Sequence, residues 1–180
     1  MSSPKPAIIL GVVLFAVILT IGYTAISSSR YMDVSSLKSY KNEVHVIVSG
    51  KPVVMGIGKF YMKVNNTIFI VDAHGVYGVA KRVKGPLLGS DDSYAVFLLQ
   101  GKDGSVIAAL YSASEFKARY GMKVDVSDKV VVEGIYKPSL RTELYTPSGD
   151  MVTSTTTIVV SKILEGCHKS YKQPIGTVSG

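Results

Sequence analysis

The residues best equipped for chemistry lie near the end of the chain, in GCHKSYKQP at 166–174. Cys167 is the only cysteine among 180 residues, and His168 follows it directly. Tyr171 stands four positions beyond the cysteine, and Lys169 and Lys172 flank the group. A thiol acts as nucleophile or ligand in its thiolate form, and neighbouring ammonium groups favour that form. One cysteine excludes an internal disulfide and any zinc site built on several thiolates. In an exported domain a leftover thiol must pair between chains, stay buried or react. A lone cysteine is most often a small buried hydrophobe, a role better suited to a strand than to this polar segment.

The rest of the chain must deliver that segment. From Ala7 to Ile26 it reads AIILGVVLFAVILTIGYTAI, without a charge. A helix needs about 20 apolar residues to cross a bilayer core of roughly 30 Å. Residues 1–30 are therefore expected to form an N-terminal stub and a single transmembrane anchor. A cleaved signal peptide is the rival reading, but its apolar region runs only about 7–15 residues and ends at small residues. Lys5 and Arg30 flank the span almost symmetrically, so the positive-inside rule hardly votes on orientation. A short stub, one span and a large domain fit a C-terminal domain outside the cytoplasm. Residues 31–42 are polar and read as a linker. The net charge of +7 is scattered, which suits solubility, an anionic surface or an acidic ligand. Nucleic acid is not the expected partner of an exported domain.

Beyond the linker the pattern is β. VHVIVSG (44–50) is rich in β-branched residues. KFYMKV (59–64) and TIFIVD (67–72) predict a hairpin turned at Asn65-Asn66. VYGVAKRV (76–83) follows, and then YAVFLLQ (94–100) and SVIAALYS (105–112) predict a second hairpin. SEFKARYG (114–121) is the one short helix, with Ser114 to cap its start and Gly121 to end it. KVVVEGIY (129–136) and TTTIVVSKIL (155–164) are the last strong strands. The expected fold is all-β: an OB-fold-like small barrel with one short helix over residues 43–164, with an open sandwich as the alternative. From Glu165 the apolar alternation stops, so 165–180 reads as a flexible tail.

This order resembles the cytochrome c maturation protein E family of haem chaperones. Its members have one N-terminal anchor, an OB-fold outside the cytoplasm, and a tail beginning after the last strand. The tail carries H-x-x-x-Y or, in a variant group that includes archaeal members, C-x-x-x-Y. Here TTTIVVSKIL runs into EG and then Cys167-His168-Lys169-Ser170-Tyr171, followed by Gln173-Pro174. KVVVEGIY, shortly after the helix, is similar to the family's fourth strand. One departure is length: either TIFIVDAHGVYGVAKRV (67–83) or YAVFLLQGKDGSVIAALYS (94–112) could be an insertion.

The resemblance implies transient, covalent binding of haem b through Cys167, with His168 as the alternative attachment point. It implies Tyr171 as an axial ligand to the haem iron, a role tyrosine fills in some haem proteins. Lys169 and Lys172 are candidates for contacts with the propionates. Four extended residues reach up to about 13 Å, enough to serve both the edge and the centre of the ring. The implied partners are haem-export and haem-handling membrane proteins and apocytochrome c or its haem lyase complex. The chain would sit in the cell membrane by one helix and catalyse no turnover of its own. No CxxCH, P-loop, HExxH or GxSxG occurs in the sequence. The rival class is an anchored OB-fold scaffold that binds proteins or other ligands without haem, and a weaker third is a secreted nucleic-acid or glycan binder.

Overall fold

The computed structural model describes residues 31–171; the expected anchor at 7–26 and Lys172 lie outside them. Nine strands are described: β1 (Met32–Asp33), β2 (Val44–Pro52), β3 (Gly56–Val64), β4 (Thr67–Gly75), β5 (Gly78–Lys84), β6 (Ser93–Gln100), β7 (Val106–Ser112), β8 (Val124–Tyr145) and β9 (Met151–Lys169). Helix α1 (Ala113–Tyr120) joins β7 to β8, and a 3-10 helix, Val34–Ser39, precedes β2. Among the described residues no helix is long and apolar enough to cross a membrane.

The strands form a closed barrel. Seven of them pair in a continuous ring, β6-β7-β9-β8-β3-β4-β5 and back to β6. Closure removes the open edges at which a small sheet would pair with other chains. Strand β2 crosses this ring, pairing with β8 over Val44–Gly50 and with β6 at Lys51–Pro52. A five-strand circuit, β2-β6-β7-β9-β8, results. Its parallel β7–β9 contact and its helix between β7 and β8 give it OB-fold-like pairing. Of the two candidate insertions, 94–112 supplies the second and third strands of that circuit. The additional strands are β3, β4 and β5, which contain 67–83.

This arrangement explains the unbroken apolar runs. Successive side chains point to opposite faces of a strand. Strand β6 therefore sends Ala95, Phe97 and Leu99 into one core and Tyr94, Val96 and Leu98 into another. In β7, Ile107, Ala109 and Tyr111 enter the first core, and Ala108 and Leu110 the second. A strand with a core on each face has no polar side, so its sequence does not alternate. The β3–β4 hairpin turns at Asn65, whose φ of +48° is a left-handed conformation that asparagine tolerates. Its Oδ1 accepts from the Arg141 backbone N–H at 2.9 Å, tying the turn to β8.

Three boundaries differ from the sequence reading. The 31–42 segment is not an open linker, because Val34 and Leu37 of the 3-10 helix are buried in the first core. Residues three apart share a face of a 3-10 helix, so one apolar edge suffices within a polar stretch. Asp33 caps that helix, its Oδ2 accepting from the Ser35 N–H at 3.0 Å. Helix α1 starts at Ala113, and its cap is Ser112 rather than Ser114; Gly121 ends it as expected. The last strand continues through Lys169, five residues past the expected boundary at 164. Leu37 is 0% exposed. Leu37→Ala should therefore cost about 2–5 kcal/mol, read as a lower urea midpoint with an unchanged slope; a loss under about 0.5 kcal/mol would return the segment to linker status.

Candidate functional site

The candidate site is built at the end of β9. Gly166 sets its position: its φ is +97°, and a Cβ there would stand 2.3 Å from the Lys129 carbonyl oxygen. Glycine alone permits both the conformation and the approach. Beyond it Cys167 pairs with Val126, His168 with Asp125 and Lys169 with Val124. The Ser170 N–H then donates to the Lys123 carbonyl at 3.0 Å, one residue past the strand.

Strand alternation divides the motif. Cys167 points inward and is 7% exposed, within the first core. His168 and Lys169 are exposed, and Tyr171 is 86% exposed just past the strand. Tyr171 and His168 are thus both outside while the thiol is inside. Burial pushes the Cys167 thiol up to about 12, and the Arg119 guanidinium of α1 opposes that shift. Tyr77 and Tyr120 lie close enough to the thiol for a negative charge on Cys167 to be felt; both phenols are raised, first by their own burial.

A cleft of about 700 Å³ opens between the outward face of β4–β5 and α1. Ile70, Tyr77, Val79 and Phe116 give it an apolar lining, with Met122, 79% exposed, also lining it. Lys59, Lys81 and Lys117 add positive charge. Lys59 is engaged by Asp72 at 3.2 Å. Lys81 and Lys117 have no carboxylate partner among the described residues. His74 lies 3.9 Å from Asp72, and its ring sits 5.4 Å from that of Tyr77. Tyr77 is common to both features, since it lines the cleft and shares the core with Cys167. The bond from Ser170 ties the end of β9 to Lys123, which follows Met122 of the cleft lining in the chain.

His45 lies 3.1 Å from Glu133 of β8, whereas His74 lines the cleft. The sequence reading gives no residue of the cleft a functional role. The available signal was β5 itself, where Val79, Lys81 and Val83 alternate with inward residues and leave an apolar, basic outer face. Among the described residues no three His, Cys, Asp or Glu side chains gather as a metal site. Comparison of the chain with protein-family models, curated proteins and solved structures found no match.

Proposed function

We propose that the chain is a haem chaperone, anchored by its N-terminal apolar segment, that holds haem transiently and hands it to apocytochrome c or the lyase complex that receives it. The observation that supports this reading is the end of β9. There an exposed tyrosine stands two residues past the strand and four after the only thiol, and the Ser170 N–H bonds Lys123, the residue after Met122 of an apolar, lysine-bearing cleft. Haem would supply a flat apolar ring, two carboxylates, an iron and vinyl groups open to addition. Tyr171 presents an exposed phenol, and the cleft offers apolar surface with lysines that have no carboxylate partner among the described residues, so these parts fit the group. Cys167 fits only in part. Its thiol is buried and protonated while 167–169 stay paired with 124–126, so any reaction at sulfur requires that pairing to open.

That burial favours a second reading, an anchored OB-fold-like binding protein in which Cys167 merely fills core. Colour separates the two. Full-length protein co-produced with a haem supply, then denatured, should retain a Soret band on the polypeptide. Haem that washes away entirely under denaturation would leave the second reading.

A further inference from the structure

We propose that the cleft between the β4–β5 face and α1 is a binding site for a flat, apolar dicarboxylate of porphyrin size. Its ring would lie on Ile70, Val79 and Tyr77, and its acids would meet Lys81 and Lys117. The site holds its ligand without help from Cys167 or from iron.

Cross-strand register builds the floor. Ile70 of β4 lies opposite Lys81 of β5, and Asp72 lies opposite both Lys59 of β3 and Val79 of β5. Apolar and cationic side chains therefore alternate across one outward face. Asp72 is the acid in this lining, and Lys59 already neutralises it. The remaining lysines stand on two different elements, β5 and α1, beside an apolar surface. An amphipathic dianion satisfies that pattern: burial of its ring contributes about 25 cal/mol per Å², and charge-assisted hydrogen bonds fix its acids. Two acids on flexible arms at one edge of a rigid ring can engage both cations at once. A volume of about 700 Å³ falls within the range of small-molecule sites. Strands β4 and β5 belong to the addition beyond the five-strand circuit, so the cleft is a property of the addition rather than of the barrel alone.

The identity of the ligand rests on the haem reading; the charge and shape of the cleft do not. The test therefore uses protoporphyrin IX, which has the ring and both acids but no iron. It is titrated by fluorescence into the full chain in phosphatidylcholine nanodiscs, with empty nanodiscs subtracted. Saturable binding is expected. Lys81→Glu and Lys117→Glu should each weaken it about tenfold. Lys51→Glu, an equal charge change at an exposed position on β2, and Cys167→Ala should each leave it within about twofold. Val79→Asp should weaken binding as strongly as either reversal, with thermal unfolding of each variant showing that the barrel persists. Absence of saturable binding, or equal effects from Lys81→Glu and Lys51→Glu, overturns the site. Full covalent haem loading of the Lys81→Glu, Lys117→Glu double variant also overturns it while leaving the haem reading intact. Cleft-dependent porphyrin binding without any covalent haem keeps the site and removes the covalent function.

Discussion

Native Cys167 should react with iodoacetamide at pH 8 on the order of a thousand times more slowly than the same thiol in urea. Only the thiolate reacts, and its fraction falls tenfold for each unit by which the pKa exceeds the pH. Burial lifts the group from 9.0 to about 12 in the folded chain. The direction for stability follows from the same shift. The folded state holds this proton between pH 9 and about 12, where the unfolded chain has lost it. Stability is thus undiminished below pH 9 and falls as pH rises towards 12. Tyr77 and Tyr120, raised by burial above 10.0, act in the same direction above that pH. Mass spectrometry of timed samples measures the alkylation. Equal rates in the native and urea-unfolded protein would mean that the strand end does not enclose the thiol.

Gly166→Ala makes the enclosure itself the variable. A methyl at that site would meet the Lys129 carbonyl at 2.3 Å, and its φ of +97° disfavours any side chain. The strand must move away from β8, and the thiol with it. Alkylation should accelerate by at least about tenfold, a ratio worth about 1.4 kcal/mol of opening free energy. A melting temperature measured alongside distinguishes local release from loss of the barrel.

Much of the barrel was legible because its signals are local. The hairpin at Asn65-Asn66, the glycine that ends α1 and the alternation of 44–50 each depend on neighbours in sequence. Other features depend on distant contacts. Val34 and Leu37 sit in a polar stretch, and only their burial against the barrel separates a packed 3-10 helix from a linker. The end of β9 escaped notice because Gly166 and Cys167 are buried consecutively. The pairing with β8 shifts between Val126 and Val131, which breaks the period of two expected of a strand. Adjacent lysines suggested an ionised thiol at Cys167. In the fold the residue faces inward, and Arg119 of α1 supplies the opposing charge. The cleft draws on four strands and a helix that no short window contains.

The variants of the 167–171 segment decide what the end of β9 is for. Cys167→Ser should abolish haem that survives denaturation, because a serine hydroxyl is a far weaker nucleophile than a thiolate at neutral pH. Since the side chain is buried, serine also places a hydroxyl in the core. Cys167→Ala supplies the control: it has no nucleophile but keeps an apolar surface, and it should lose covalent haem equally while melting closer to the parent. Tyr171→Phe keeps the ring and the thiol and removes only the oxygen. Tyr171 is exposed and outside the sheet, so stability should change by less than about 0.5 kcal/mol. Covalent haem should persist in that variant, and the ferric spectrum should shift. His168→Ala removes a side chain on the outward face of the same strand, where it is already free of the core. Unchanged covalent loading in His168→Ala keeps the attachment at Cys167, reached by opening of the last strand pairs. Loss of covalent haem in His168→Ala, with full loading in Cys167→Ala, would move the attachment to the exposed imidazole. That result would leave Cys167 as a core residue, the role its burial already allows.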